Sequence, residues 1–165
     1  RFGMEFAVPG KYDVIKFYGD GPFENYSDRA DASEVGIYTQ KVADQYDYTY
    51  ARPQESGNHT NLEWLRIMDE EGNGIEIASA EKFSGSVLPF GRKAVDLSIS
   101  GGKRSDRGDQ RHSYELRPDG LTHVNIDLVQ MGLGSIDSWG AKPMDKYMIH
   151  PAEMEFSFII RPLTK

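Results

Sequence analysis

The second tryptophan of the chain, Trp139, stands in a segment whose composition is typical of an irregular surface loop. Residues 131–140 contain three glycines and show no alternation of apolar and polar side chains, so no regular element is expected there. Trp139 directly follows Asp137 and Ser138. An indole face beside these polar groups suits a sugar, whose C–H groups pack on the ring while its hydroxyls hydrogen-bond. The alternative, which composition favours equally, is that the indole plugs the end of the fold.

Three tyrosines spaced two residues apart form a second candidate surface for stacking a sugar. Tyr46, Tyr48 and Tyr50 would share one face of a strand. Such a stripe is more often an inward or cross-strand face with hydroxyls at its edge, and we favour that interpretation. The first tryptophan, Trp64, lies in the largely apolar stretch 62–65 and is predicted to be a core residue.

An acidic segment resembles the start of a calcium-binding loop. Asp69, Glu71, Asn73 and Gly74 follow the spacing of such a loop, but its twelfth position, which should be a bidentate glutamate, is Ala80. Asn-Gly between strand-like flanks is a strong signal for a hairpin. We therefore predict a plain β-hairpin turn here.

The histidines do not form a metal-binding pattern. The chain has four, His59, His112, His123 and His150. His123 would share one strand face with Asn125 and Asp127, which could present three ligands together. A solvent-facing strand side has the same pattern, and we favour that interpretation. No metal site and no cofactor are predicted in this chain.

Several classes of catalytic site are excluded by missing residue types and motifs. The chain has no cysteine, which excludes a thiol nucleophile, a disulfide scaffold and any Cys-ligated zinc or iron–sulfur site. It contains no G-x-S-x-G elbow, no P-loop and no dinucleotide-binding glycine pattern before a helix.

Length and charge indicate one acidic domain. The chain has 165 residues, with 19 basic and 26 acidic side chains and a formal net charge of −7. A domain of this size buries about 68–70% of its unfolded surface, and the acidic balance argues against a protein that coats nucleic acid or an anionic membrane. No stretch approaches the about 20 apolar residues of a membrane span. Because the chain opens with Arg1 and a strand-like pattern, we expect it to be a piece of a longer protein.

The elements that must position these residues are predicted to be β-strands. Apolar and polar side chains alternate with a period of two, as in a strand with one face on a core and the other in solvent. The alternating stretches are Met4–Val8, Val95–Ser100, His123–Leu128 and Met154–Arg161. Glycine- and proline-rich turn signals separate them, and helical stripes are nearly absent. The sequence predicts an all-β fold, an antiparallel sandwich or barrel, with a surface hairpin loop at 100–110.

Three segments resemble motifs of one enzyme family. Gly21–Arg29 is similar to the G-P-x-E-N-Y-x-D-R signature in the C-terminal domain of β-galactosidases of glycoside hydrolase family two. Pro53–Asn58 resembles the P-x-E-x-G-N segment of that domain. Val124–Asp127, followed by Met131–Gly134 and Asp137–Trp139, resembles its closing motif. The likeness runs in order across nearly all of the chain.

The resemblance implies a large antiparallel β-sandwich of the supersandwich, galactose-mutarotase-like class. Residues 1–165 would form a single β-sandwich domain, a C-terminal fragment of a longer multidomain enzyme. That enzyme would hydrolyse terminal β-D-galactosides such as lactose with retention, using two carboxylates about 5–5.5 Å apart. The catalytic pair would lie in a separate (β/α)₈ barrel of about 250 residues, so this chain would hold no catalytic residue and be inactive alone.

The resemblance also implies roles for particular residues. Trp139 would reach the mouth of the barrel as an aromatic wall for the galactoside, with Asp137 and Ser138 as its substrate-binding neighbours. The residues Glu24, Asn25, Asp28 and Arg29 would be scaffold, a buried ion-pair and hydrogen-bond corner at a sharp turn. The partners would be the galactoside, the barrel domain and further copies of the enzyme, in a soluble protein of the bacterial cytoplasm or periplasm.

Two interpretations of other classes stay open. One is a free-standing carbohydrate-binding module that uses the Tyr46, Tyr48 and Tyr50 face. The other is a purely structural or adhesive sandwich, in which the loop glycines only shape a contact.

Overall fold

The described part of the chain forms an antiparallel sheet of seven strands. The computed structural model describes residues 1–46, 55–95, 113–134, 137 and 140–165. The strands are β1 Phe2–Pro9, β2 Val14–Gly21, β3 Glu34–Lys41, β4 Asn58–Met68, β5 Gly74–Leu88, β6 Leu121–Val129 and β7 Ile159–Leu163. The helical elements within these ranges are short 3-10 turns at Val42–Gln45, Arg92–Ala94, Ser113–Glu115 and Asp145–Tyr147. The predicted all-β antiparallel class is confirmed, and the sheet is consistent with a β-sandwich.

The sheet is strongly curved, because its strand order and its connections require it. The order is β1-β6-β5-β4-β2-β3, with β7 paired to β5. In a flat sheet β1 and β2 would lie four strand spacings apart, about 19 Å. The chain from Pro9 to Val14 reaches at most about 18 Å when fully extended, and it is not extended, since the Tyr12 N–H donates to the Pro9 carbonyl at 3.0 Å. The two ends of the sheet therefore curl toward each other.

One hydrophobic cluster fills the space inside the curved sheet. Phe6 and Val8 of β1 pack against it from one end of the strand order. Its buried members are Ile15, Phe17, Val42, Leu62, Leu65, Ile67, Ile77, Phe83, Val87, Val124 and Ile126. Full burial of such a side chain contributes about 1.5–3 kcal/mol, so this core is the main stabilising element of the sheet.

The acidic segment forms the turn of the β4–β5 hairpin, as predicted. The Asp69 N–H donates to the Asn73 carbonyl, and the Asn73 N–H donates to the Asp69 carboxylate, both at 2.8 Å. Burial raises the pKa of Asp69, but the hydrogen bonds that its carboxylate accepts from Asn73, together with the charge of Lys11, outweigh it and lower the pKa overall. The side chain therefore acts as a cap that closes the turn.

β6 contradicts the expectation that its polar side chains face solvent. Asn125 and Asp127 are buried, 3% and 2% exposed, like the core residue Ile126 between them. Asn125 Nδ2 donates to Ser86 Oγ at 3.1 Å, and the Asp127 carboxylate lies 3.4 Å from the Arg1 guanidinium. Burial raises the pKa of Asp127, and the charge of Arg1 opposes that rise. The expectation is wrong because alternation shows which face is polar, whereas tertiary contacts decide whether that face is covered.

Trp64 is not the core residue that its apolar surroundings predict. It is partly exposed on the outer face of β4, where the Arg66 guanidinium lies 4.6 Å from its ring centre and the Tyr18 ring 6.4 Å away. The pairing of β4 with β5 is irregular between Leu62 and Trp64. Leu62 and Leu65 therefore both face the core, and the tryptophan between them points outward.

The last strand begins later than the alternation predicts. Only Ile159–Leu163 pairs with β5, whereas the sequence predicts a strand from Met154. Phe156 and Phe158 nevertheless pack against the core, with their rings 5.0 Å apart. Apolar side chains at period two thus reach the core without a hydrogen-bonded ladder. Most of the strand predicted at 95–100, and the loop predicted at 100–110, lie outside the described residues.

A buried carboxylate ties β7 to the rest of the sheet. Glu76 of β5 is 2% exposed and forms ion pairs with Arg66 of β4, at 2.6 Å, and with Arg161 of β7. Burial alone raises the pKa of Glu76, but the hydrogen bonds from the two guanidinium groups outweigh it and lower the pKa overall. The contacts link three strands around one charge.

We expect Glu76→Gln to lower the free energy of unfolding by about 1–3 kcal/mol, because two guanidinium groups then lose the charge that they face. Since the folded pKa is lowered, this stabilisation is present above the unfolded value of 4.5 and is lost as the pH falls through the folded pKa. Urea unfolding at neutral and acidic pH measures both effects. Glu63→Gln, at an exposed position of β4, is the matched control. Equal losses in the two variants would contradict the role of Glu76.

Candidate functional site

The turn that follows β2 is anchored to the residues just before β4. The Glu24 carboxylate accepts hydrogen bonds from the Gly57 N–H at 2.7 Å and from the Ser56 and Tyr26 hydroxyls at 3.4 and 3.3 Å. A carboxylate that accepts from backbone N–H forms a stronger bond than a neutral acceptor does. The first sequence motif therefore binds the second, although more than thirty residues separate them along the chain.

Asn25 lies at the centre of this anchor and is fully buried. Its amide oxygen accepts from the N–H and the hydroxyl of Thr60, at 2.8 and 2.6 Å, and its Nδ2 donates to the Asp20 carbonyl at 2.9 Å. The Asn25 N–H donates to the Asn58 carbonyl at 2.7 Å, and Asn58 Nδ2 donates back to the Asn25 carbonyl at 2.8 Å. Every polar group of the residue has a partner, which allows its burial.

Asp28 connects the same turn to the loop that contains Asp137. Its carboxylate accepts from the Leu133 N–H at 3.0 Å and from the Gly134 N–H at 2.7 Å. A Cβ on Gly132 would lie 2.6 Å from an oxygen of this carboxylate, so only glycine fits there. Gly134 has a φ of +76°, which favours glycine as well. The contact with Asp28 thus accounts for Gly132, and the backbone conformation accounts for Gly134.

The predicted substrate-binding residues follow this anchored segment. Asp137 is exposed, and its carboxylate accepts from the Ala141 N–H at 3.2 Å. The Gly132 N–H donates to the Tyr147 carbonyl at 2.9 Å, so the segment that follows the loop in the chain also holds it in place. Ser138 and Trp139 lie outside the described residues.

An open cleft of about 880 Å³ lies beside this anchor. Asp28 lines the cleft and also accepts hydrogen bonds from the base of the loop, so the loop base lies next to one residue of the cleft wall. Phe23 also lines it and is 69% exposed. No role is assigned to Phe23 in the sequence analysis. The feature that indicates an exposed ring is its position within a polar turn, where no core is available to bury an aromatic side chain. Asp31 and Asp44 add acidic side chains to the lining.

A buried histidine lies behind the cleft. His59 is 4% exposed, and its ring lies 4.2 Å from the ring of Phe17. Its Nε2 lies 2.9 Å from Gln45 Oε1 and its Nδ1 lies 3.3 Å from the Asp20 carbonyl. Burial lowers the pKa of His59 to about 4, against a smaller opposing effect of the Asp20 carbonyl. Gln45 lines the cleft, and no sequence pattern pointed to it.

The expected scaffold role is confirmed for three of the four residues of the turn. Glu24, Asn25 and Asp28 hold backbone groups of distant segments. The side chain of Arg29 is 47% exposed and lies 3.5 Å from the Glu24 carboxylate, so the expected buried ion pair is wrong for this arginine. A half-exposed pair of this kind contributes little stability.

The other candidate site residues are not brought together. Tyr46 is buried against Phe90, with the two ring centres 5.1 Å apart, and its hydroxyl lies 3.1 Å from Ser113 Oγ. The favoured interpretation of an inward-facing tyrosine is confirmed for this residue, whereas Tyr48 and Tyr50 lie outside the described residues.

His123 binds the Asp119 carboxylate at 2.8 Å. Within the ranges that the structure describes, no three possible ligands form a metal-binding group, and no helix is long and apolar enough to cross a bilayer.

Chemically, this arrangement is suited to holding a loop at the edge of an open cleft. The Glu24 and Asp28 carboxylates already accept hydrogen bonds from backbone N–H groups, so these oxygens serve to hold distant segments of the chain. The candidate site therefore provides an open cleft, an exposed aromatic ring and polar side chains that suit the binding of a ligand.

Comparison with known proteins identifies one family over almost the whole chain. The family model described as the beta galactosidase small chain matches residues 1–160. The chain is 35% identical over 160 residues to a beta-galactosidase of Halalkalibacterium halodurans and 30% identical over 164 residues to one of Streptococcus thermophilus. It is 31% identical over 163 residues to one of Bifidobacterium adolescentis. These alignments cover 96%, 99% and 97% of this chain, which spans about 15% of the length of these curated relatives.

We expect Asp28→Asn to speed hydrogen exchange at the Leu133 and Gly134 amides by about tenfold, because the loss of one charge-assisted hydrogen bond costs about 1.5 kcal/mol. Native-state exchange followed by mass spectrometry measures this. Asp31→Asn removes an exposed carboxylate from the same cleft and is the control. Unchanged exchange in the Asp28 variant would show that the loop does not depend on this carboxylate.

We also expect His59 to make the fold sensitive to mild acid. Its pKa is about 4 in the folded chain and 6.5 otherwise, so the unfolded state binds the proton more readily and stability falls as the pH drops through this window. Near pH 5 the loss is about 2 kcal/mol. Urea unfolding of the wild type and of His59→Gln at neutral pH and near pH 5 tests this. The same pH dependence in both proteins would assign the effect to other groups.

Proposed function

Because the chain belongs to the beta galactosidase small chain family, we propose that residues 1–165 form one domain of an enzyme that hydrolyses terminal β-D-galactosides such as lactose. Three relatives that the chain matches over nearly its whole length carry the name beta-galactosidase. The hydrolysis proceeds with retention, by two carboxylates about 5–5.5 Å apart. Both carboxylates belong to another part of the polypeptide, and this domain adds a wall to the substrate pocket.

The observation that carries this proposal is the pair of hydrogen bonds from Leu133 and Gly134 to the Asp28 carboxylate. They hold the base of the loop next to Asp28, a residue of the cleft wall. The loop continues through Asp137 and Ser138 to Trp139. An anchored loop presents its side chains in a restricted set of positions, which lowers the entropy lost when a ligand binds.

In this proposal the three loop residues share the recognition of the sugar. The indole of Trp139 supplies an aromatic wall on which the C–H face of the galactoside or its aglycone packs, and Asp137 and Ser138 accept or donate hydrogen bonds to hydroxyl groups. Asp137 is exposed, which a hydroxyl-binding carboxylate requires. The domain also contributes a surface to the assembled enzyme.

The carbohydrate-binding module that uses the tyrosine face is the weaker alternative. Its platform needs three exposed rings, and Tyr46 is 4% exposed and hydrogen-bonded to Ser113. A purely structural sandwich would also use an anchored turn, but it gives no reason for an open cleft beside the residue that anchors the loop.

We expect Trp139→Ala in the full-length enzyme to raise the KM for lactose about tenfold and to change kcat little, because a stacking wall binds the ground state and the transition state alike. Trp139→Phe keeps an aromatic face and should recover most of the affinity. Tyr114→Ala removes an aromatic side chain that is 68% exposed elsewhere on the domain, and should leave KM unchanged. Steady-state kinetics with lactose measures all three.

Two outcomes would contradict this prediction. An unchanged KM in the Trp139→Ala enzyme would leave only the structural interpretation. Measurable affinity of the isolated chain for galactose or lactose, in isothermal titration calorimetry, would favour an independent binding module over one wall of a composite pocket.

A further inference from the structure

A row of apolar side chains crosses the outer face of the sheet, on the side away from the core. The register aligns Ile37 of β3 with Tyr18 of β2, and Tyr18 with Trp64 of β4. It continues from Trp64 to Ala78 of β5 and from Ala78 to Ile159 of β7. We call these five residues the outer apolar row. It spans five strands, about 19 Å at the usual strand spacing.

The two ends of the outer apolar row are strongly exposed. Ile37 is 62% exposed and Ile159 is 68% exposed, and Val35, on the same face of β3, is 62% exposed. Their strand neighbours point to the other side, where Tyr38 packs against the core. An apolar surface that continues across several strands is uncommon on an isolated soluble domain and is typical of an interaction surface.

A row of charged side chains runs beside the outer apolar row. The register aligns Lys16 with Arg66, Arg66 with Glu76 and Glu76 with Arg161. This row carries net positive charge on a chain whose net charge is −7. The Arg161 side chain is 63% exposed although it pairs with Glu76. The whole face thus fits a partner with an apolar ridge and carboxylates along one side of it.

We propose that the outer apolar row is the docking surface for the remainder of the enzyme polypeptide. This inference rests on the proposed function only in taking the chain as part of a longer β-galactosidase. In the relatives the matched segment is about 15% of one continuous chain, so the greater part of the polypeptide is covalently attached to this domain. Attachment raises the effective concentration of the neighbouring part to the millimolar range.

The composition of the row agrees with this occupant. Interfaces between domains of one chain are more polar than obligate interfaces, which matches an apolar row bordered by guanidinium groups. The outer apolar row lies on the outer face of the sheet. The cleft, in contrast, is lined by residues of the turn that follows β2, by the end of β3 and by the residues just after it. Docking there leaves the loop that begins at Met131 free to serve the substrate pocket.

Hydroxyl-radical footprinting of the full-length enzyme tests the proposal. We expect Ile37 and Ile159 to be labelled at least fivefold more slowly than Leu121, an aliphatic residue of β6 that is 43% exposed. Labelling at the rate of Leu121 or faster would overturn the proposal. Protection that disappears when an oligomer is diluted to monomers would assign the face to contacts between copies, and would also overturn it.

A substitution on the row provides the second measurement. Ile37→Asp in the full-length enzyme should raise the labelling of Ile159 to the rate of Leu121 and shorten the half-life of thermal inactivation about tenfold. Leu121→Asp, the matched exposed aliphatic control, should do neither. Because Ile37 is exposed and outside the core, its replacement leaves the fold of the domain intact. Labelling reports on docking without substrate, so it distinguishes failure of this inference from failure of the tryptophan prediction.

Discussion

Hydrogen bonds from one polar turn hold the irregular part of this molecule to its sheet. The strands of a sheet satisfy their own backbone groups, but the segments that cross its edge must find partners elsewhere. Glu24 and Asp28 provide them with carboxylates that accept from Gly57 and Gly134, each at 2.7 Å. Asn25 provides them with a fully buried amide. The Asp28 contacts, together with the bond from the Gly132 N–H to the Tyr147 carbonyl, position the base of the loop beside the cleft.

The two faces of the domain have different physical characters. The cleft is acidic and open, with Asp28 in its wall and Phe23 exposed beside it, which suits a polar ligand with an apolar face. The outer apolar row is bordered by cations and has Trp64 at its centre, beneath the Arg66 guanidinium. The proposed function and the proposed docking surface use one feature each, the cleft for the substrate and the outer apolar row for the rest of the enzyme.

The two failed expectations about which strand residues are buried share one cause. Alternation along a strand identifies two faces, but the contacts that cover a face come from elsewhere in the chain. Asn125 and Asp127 have the pattern of a wet face and are buried because Ser86 and Arg1 meet them there. Trp64 has apolar neighbours and is partly exposed because an irregular pairing shifts the face of β4. Neither the distant partners of Asn125 and Asp127 nor the irregular pairing of β4 produces a periodic pattern in the sequence.

Local chemistry was enough to establish the all-β class, the hairpin turn that Asp69 closes, and the family to which the motifs belong, because each of these depends on residues close together in the chain. The same motifs identified Asn25 and Asp28 as scaffold. The hydrogen-bond partners of these two residues could not be predicted from the motifs. The Asp28 carboxylate meets Gly134 across 106 positions, and such a meeting is decided by how the sheet curves around its core. Only the tertiary structure made the turn after β2 the anchor of the loop. Only the tertiary structure, too, left the outer apolar row exposed at its two ends, Ile37 and Ile159.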